Sequence, residues 1–372
     1  MRILHVADVH LDRPFVGMRT AAAARRRTEV WQTFCRSLEL ARDREVDLVT
    51  VGGDLWEEEH VKPDTRRSVL HALAEVEVPV LVIAGNHDPL ISGGNWYRAI
   101  PELPDNVALV QAASLERHEF GDVVLWGASW MGGVGGDLSP EVIRSATVDS
   151  SQRNILLIHG TLMNTLFADD SSYCPFSEQD VSEAGFDLCL AGHIHAAQQA
   201  GRVVYPGSIE PLTSAETGRH CVAVVDADAT RLDVELVDVA RFRYVDVVVP
   251  CDGATSSAQV QSLLNNALAG LDGHTYVRAH LSGAVPASVS LDLEGLRSRA
   301  EDTLADLVVV DETHADWDLE RLAAEPTIRG LYVKKLLDRL AKTSLDEQAP
   351  IELAIDLGLR AFDPEAAVLR EV

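Results

Sequence analysis

The sequence has no long hydrophobic run: no stretch approaches the roughly 20 apolar residues a membrane-spanning helix needs. Met1-Arg2-Ile3-Leu4-His5 leads straight into a strand, without the apolar core of a signal peptide. Cysteine is sparse. Cys35, Cys174, Cys189, Cys221 and Cys251 are scattered and form no CxxC pair. An odd, dispersed set argues against a disulfide framework and fits reduced thiols. We therefore expect a cytoplasmic protein with no membrane association. Positive charge is also short: 32 Lys and Arg stand against 58 Asp and Glu, a net charge of −26. That balance favours solubility and repels nucleic acid at long range, so metals and local basic patches would have to hold a polyanionic substrate. The glycine run Gly132-Gly133-Val134-Gly135-Gly136 lacks a following Gly-Lys-Ser/Thr, which leaves it a flexible loop rather than a phosphate cradle.

What is present is the balance of an ordinary globular protein, 47% hydrophobic and 24% charged, over 372 residues. That length favours two domains. Strands and helices alternate through the first two-thirds: strands over Ile3–Ala7, Val46–Val51, Val78–Ile83, Ile155–Ile158 and Leu188–Leu190, helices over Ala21–Arg42 and Thr65–Ala74. Trp31, Phe34, Leu38 and Ala41 share one side of the first helix, and Arg66 and Arg67 point outward from the second. Strands over Val203–Tyr205, Cys221–Val225 and Leu232–Val237 are expected to extend a second sheet. Near Ala240-Arg241 the composition shifts and a β-α-β-α-β pattern restarts, giving a first domain over 1–240, a smaller α+β domain over 241–345 and a helical tail over 346–372.

Each of the five strands ends in polar residues: Asp8-Val9-His10, Gly53-Asp54, Asn86-His87-Asp88, His159-Gly160 and Gly192-His193-Ile194-His195. In α/β sheets ligands bind outside the carboxyl ends of strands, so these groups point to one site. A two-metal hydrolytic centre needs a carboxylate to bridge both ions and further N and O ligands around each. Asp54 is the natural bridge. Asp8, His10 and His195 would complete one ion, and Asn86, His159 and His193 the other. The mixed donors suit Mn²⁺, Fe²⁺ or Zn²⁺ better than Ca²⁺ or Mg²⁺. His87 is left as a non-ligand acid or phosphate donor, with Asp88 placed to orient its other ring nitrogen.

This order of motifs, over residues 1 to about 240, resembles the calcineurin-like metallophosphoesterases. Three stretches are most similar to the SbcD-type DNA repair nucleases: Leu4-His5-Val6-Ala7-Asp8-Val9-His10-Leu11-Asp12, Gly192-His193-Ile194-His195-Ala196-Ala197-Gln198, and Tyr205-Pro206-Gly207-Ser208-Ile209-Glu210-Pro211-Leu212. The resemblance implies a four-layer αββα sandwich with a capping, DNA-binding second domain. It also implies two divalent ions, most readily Mn²⁺, DNA exonuclease and endonuclease activity, an SbcC-type coiled-coil ATPase partner and a homodimer. One position departs: Glu57 stands three residues after Asp54, where the family often carries His or Asp. A phosphodiesterase acting on small or cyclic nucleotides shares every ligand, and a scaffold for the ATPase would share the second domain, so both stay open. Arg25-Arg26-Arg27 and Arg66-Arg67 read as solvated helix faces, with DNA phosphates as the alternative. The stripe Ile328, Leu331, Leu336, Leu337 and Leu340 reads as packing within the second domain, with a docking helix as the alternative.

Overall fold

The structure, a computed structural model, describes residues 1–362 apart from 19, 133–138, 164–172, 229, 287–288, 290, 300–302 and 345–346. The glycine run therefore lies, beyond Gly132, outside the described residues. The chain divides into two units, Met1–Arg243 and Tyr244–Val372.

The first unit runs β1 (Arg2–Val6), α1 (Thr20–Asp43), β2 (Leu48–Gly52), α2 (Pro63–Ala74), β3 (Val80–Ile83), α3 (Asn95–Ala99), β4 (Val107–Leu109), β5 (Glu116–Phe120) and β6 (Val123–Gly127). It continues with α4 (Pro140–Arg144), β7 (Arg153–His159), α5 (Glu178–Glu183), β8 (Leu188–Gly192), β9 (Gln198–Ala200), β10 (Val203–Tyr205), β11 (Cys221–Ala227) and β12 (Leu232–Asp238). Two six-stranded sheets result, ordered β12-β11-β1-β2-β3-β4 and β5-β6-β7-β8-β10-β9. Each has a parallel centre, β1 to β4 in one and β6-β7-β8-β10 in the other. Antiparallel strands close one edge of the first sheet, β11 and β12, and both edges of the second, β5 and β9.

The apolar strands alternate between two faces, as a pleated strand must. Ile3, Leu48, Leu81 and Ile83 point from the first sheet toward Ile155, Leu157, Leu188 and Leu190 of the second, forming the middle core. Their neighbours Leu4, Val49, Val80 and Val82 pack under α1 and α2. Leu156, Ile158, Cys189 and Ala191 pack under α4 and α5. Three interlayer cores make four layers, αββα.

The later strands divide differently from expectation. Val203–Tyr205 joins the second sheet beside β8, but Cys221–Ala227 and Leu232–Asp238 extend the first, antiparallel to β1. Alternation reports which face of a strand is apolar, not which sheet it joins. Two arginine readings also change. Arg26 is fully buried, paired to Glu29 at 2.7 Å and donating to Pro211 O at 2.6 Å. Arg66 is buried and donates to Asn95 Oδ1 at 3.3 Å. Arg26 ties α1 to the Pro211 segment and Arg66 ties α2 to α3, so neither faces solvent. Arg25 pairs with Glu29 at 2.7 Å, and Arg67 with Asp64.

The second unit carries β13 (Arg243–Pro250), α6 (Ser257–Ala267), β14 (Thr275–Ser282), β15 (Ala284–Val285), α7 (Leu293–Ser298), β16 (Asp306–Asp311), β17 (His314–Ala315), α8 (Leu319–Ala323), α9 (Ile328–Leu340) and α10 (Ala349–Phe362). A three-stranded sheet β13-β14-β16 packs Val249, Leu281 and Leu307 against Val260 and Leu264 of α6. The three last helices share a core of Leu322, Val333, Ile351, Ile355 and Leu359. The α9 stripe is split: Leu336, Leu337 and Leu340 pack into that core, whereas Ile328 and Leu331 are exposed. All five cysteines are free. Among the described residues no helix is long and apolar enough to cross a membrane.

Candidate functional site

The five polar strand ends converge at one edge of the sandwich, and main-chain bonds lace them together. Asp8 N–H donates to Gly53 O at 3.2 Å and His10 N–H to Asp54 O at 2.9 Å, so the ends of β1 and β2 advance side by side. Gly160 N–H donates to Gly192 O at 3.1 Å across the second sheet. His193 N–H donates to Asp8 Oδ1 at 2.8 Å and joins the two sheets.

The chain reverses sharply at these ends. Asp8, His10 and Asp54 each have φ near 52° and His193 has φ 102°. Left-handed backbone costs a non-glycine residue about 1–3 kcal/mol, and it is tolerated where surrounding bonds impose it. Here it turns four side chains toward one point. Gly85 is required by close approach: a Cβ there would overlap Asp54 Oδ1 and the Asp54 amide nitrogen.

The charged groups are almost fully buried. Asp8, His10 and His159 are inaccessible and Asp54 is 1% exposed. Among the described residues, three sets bring candidate ligand atoms within 4.8 Å of one another: Asp8, His10 and His195; His10, Asp54 and His87; Asp8, Asp54 and His159. Asp54 Oδ2 lies 3.5 Å from His10 Nε2 and 3.3 Å from His159 Nε2, between the two groups. Asn86 Oδ1 sits 2.9 Å from His159 Nε2 and 3.1 Å from His193 Nδ1. All seven sequence-designated ligands, Asp8, His10, Asp54, Asn86, His159, His193 and His195, thus share one cluster.

This donor set fits divalent ions. His10 and His195 each face a carboxylate with Nδ1, Glu57 at 3.0 Å and Glu216 at 3.2 Å. Their Nε2 atoms face each other at 3.2 Å. With both Nδ1 atoms protonated toward the carboxylates, two lone pairs would oppose each other, an arrangement a cation relieves. His159 Nδ1 lies 2.8 Å from Gly52 O, which likewise leaves Nε2 for the site.

The charges tune one another. Burial alone would raise the Asp54 carboxyl, but His159, His10 and His87 outweigh it and hold it well below the usual range. Burial lowers the His159 ring, and Asp54 and Asp8 more than reverse this, lifting it to about 9. Burial raises the Asp8 carboxyl and lowers the His10 ring. Burial works against ionised Glu216, yet its bond to His195 brings it to about 2.

His87 lies at the solvent-facing side, its side chain 42% exposed, with its ring 4.8 Å from that of His10. Its main-chain N–H donates to Asp54 Oδ1 at 2.7 Å. The expected role of Asp88 is corrected. Asp88 does not touch the His87 ring; it is buried and accepts from Gly85 N–H (2.6 Å), Asp54 N–H (3.0 Å), Leu55 N–H (2.9 Å) and Trp96 Nε1–H (3.1 Å). Four donors saturate a carboxylate, so Asp88 is the buried clasp that sets the Asp54 loop. Burial and the nearby Asp54 charge raise it to about 7. The carboxylate on His87 Nδ1 is Glu57, at 2.9 Å.

Glu216 and the Gly52 carbonyl went unnoticed in the sequence. Glu216 lies 21 residues from His195, and no motif spacing links them. Glu57 stood out only as a departure from a family pattern.

Residues 1–230 match the calcineurin-like phosphoesterase superfamily domain. An uncharacterized metallophosphoesterase, YhaO, of Bacillus subtilis is 29% identical over 233 residues, covering 59% of this chain and 55% of that protein. The DNA double-strand break repair protein Mre11 of Methanopyrus kandleri is 28% identical over 241 residues, covering 58% of this chain and 50% of that protein. The chain thus spans about half the length of these relatives. A dimetal phosphatase from Danio rerio superposes on 64% of this chain and 96% of its own at 12% identity, with a TM-score of 0.42. The superfamily consists of phosphoester hydrolases, and its dinuclear fold implies two divalent ions here. Its domain matches well over half the sequence and includes every residue of the ligand cluster, and the chain belongs to the calcineurin-like phosphoesterase superfamily.

Proposed function

We propose that the chain is a metal-dependent DNA nuclease that serves a repair complex, with Mn²⁺ as its preferred ion. The observation that carries this reading is Asp54 Oδ2, one oxygen lying between the His10 and His159 ligand groups. The mixed imidazole, carboxylate and amide donors support Mn²⁺ over Ca²⁺ or Mg²⁺. The Mre11 relative supports DNA as substrate. A coiled-coil ATPase partner and a second copy of the chain belong to the same proposal, and the partner would offset the repulsion between DNA and a chain of net charge −26.

When bound by Asp8, His10, Asp54 and His195 on one side and by Asp54, Asn86, His159 and His193 on the other, two ions would acidify a water and polarise the phosphoryl oxygens. Asp54 fixes the spacing of the two groups, and the His87 N–H on its Oδ1 stops it from turning. The His87 ring faces the open side and meets the phosphate. Glu57 bonds its Nδ1 and raises its affinity for a proton, which favours a ring that donates from Nε2 to a phosphoryl or leaving oxygen.

The test is cleavage of an end-labelled DNA duplex and of bis-p-nitrophenyl phosphate in Mn²⁺, with Asp54→Asn as the blank. Cleavage of both substrates, lost in Asp54→Asn, is expected. Cleavage of the small ester alone, with or without a supplied ATPase partner, would replace the nuclease with a small-molecule phosphodiesterase, which the acidic net charge favours.

A further inference from the structure

Glu57 contacts the outer ring nitrogens of two histidines of different duty. Oε1 lies 3.0 Å from His10 Nδ1 and accepts from Arg13 at 2.9 Å; Oε2 lies 2.9 Å from His87 Nδ1. Its side chain is 12% exposed. Its main chain is held on both sides. Glu57 N–H donates to Leu11 O at 3.1 Å, next to His10, and Glu58 N–H donates to His87 O at 2.9 Å. The carboxylate thus rides on backbone stitched to both segments that carry the rings it contacts.

We propose that Glu57 is a positioning residue shared by two tasks: Oε1 orients the ligand His10, and Oε2 orients the phosphate-facing His87, so that ion loading and the aim of the proton donor depend on one side chain. In each ring the contacted atom is Nδ1, which leaves Nε2 for the ion in His10 and for the substrate in His87. The geometry needs two acceptor oxygens on a stem long enough to reach between the rings. A neutral histidine at position 57 offers a single acceptor, and an aspartate is one methylene shorter. Neither serves both rings at these distances. The inference rests on the two-ion phosphodiesterase reading.

Glu57→Gln is the direct test, because it keeps the size and leaves a single acceptor oxygen. Mn²⁺ binding to the full chain, followed by electron paramagnetic resonance, reads the His10 task without turnover. Hydrolysis of bis-p-nitrophenyl phosphate at saturating Mn²⁺ reads the His87 task. Glu57→Gln, or Glu57→Ala, which serves neither ring, is expected to weaken one of two bound ions about 10-fold or more. It should also lower kcat about 10-fold with little change in KM. In a His87→Ala background the same change should lower kcat by less than about twofold, since the ring it aims is gone. Equal unfolding midpoints show that each variant folds; if Glu57→Gln fails that check, Glu57→Asp is read in the same way. Wild-type ion affinity and kcat in these variants would overturn the inference, as would a full kcat loss added to that of His87→Ala. A wild-type chain that binds no Mn²⁺ and cleaves no diester would instead remove the two-ion reading, and this inference with it.

Discussion

On one side of Asp54, His10 and His195 rest their outer ring nitrogens on carboxylates, Glu57 at 3.0 Å and Glu216 at 3.2 Å. On the other side, His159 rests on the main-chain oxygen of Gly52 at 2.8 Å, and the partner ligand is the neutral amide of Asn86. The first half takes its orientation from side chains on loops distant in sequence, the carboxylates of Glu57 and Glu216. The second takes it from the strand ends themselves. A carbonyl at the end of β2 cannot be changed without rebuilding the sheet, whereas a supporting carboxylate can be altered by substitution. The comparison teaches that the orientation of the second half is fixed by the fold, whereas that of the first is adjustable by substitution.

The largest effect should come from collapsing both halves together. Gly85→Ala places a methyl group onto Asp54 Oδ1 and the Asp54 amide, and so displaces the shared carboxylate. Diester hydrolysis should fall on the order of 10²-fold or more, with both ions weakened. Loss of only one ion would mean that Asp54 belongs to one half.

The next test acts beneath both halves. His5 is buried between the sheets, 3.0 Å from Thr50 Oγ1 on the first and 3.3 Å from Ala191 O on the second. Burial lowers its pKa to about 4, against 6.5 for the free side chain. The neutral ring is the one the fold accommodates, so this contribution is intact above about pH 6.5 and is lost as pH falls from there toward 4. Urea unfolding at two pH values should show wild type losing about 2 kcal/mol more than His5→Gln between about pH 7 and pH 5. Parallel pH profiles for the two proteins would contradict this.

The smallest effect should separate the halves. Glu216→Gln keeps the shape beside His195 but weakens its hold on the ring. It should loosen one Mn²⁺ by about 10-fold and leave the other unchanged. A calorimetric titration resolving two sites checks this, and equal weakening of both would erase the distinction between the halves.

Much of this arrangement was legible in the sequence because strand ends announce themselves. A buried run such as Leu188 to Leu190 followed by Gly192-His193 marks both a strand and the point where its chemistry begins. Alternation likewise separates Ile3 from Leu4 by face. What was hidden depends on contacts between distant segments. That Cys221–Ala227 returns to pair with β1 follows from tertiary packing, not from its own pattern. That Arg26 is buried follows from Glu29 and the Pro211 carbonyl meeting it inside. Asp88 looked like a partner for the histidine beside it in sequence. The tight turn at Gly85 instead folds its carboxylate back onto three main-chain amides and Trp96. Glu216, and the two ring contacts of Glu57, could be found only once the loops holding them were placed.

The most direct measurement is the number of Mn²⁺ ions bound per chain, counted by electron paramagnetic resonance in wild type and in Asp54→Asn. A carboxylate shared by both halves predicts two ions in the wild type, with spin coupling between them, and weakened binding of both in the variant. Two ions bound with unchanged affinity in Asp54→Asn, or a single uncoupled ion in the wild type, would contradict it.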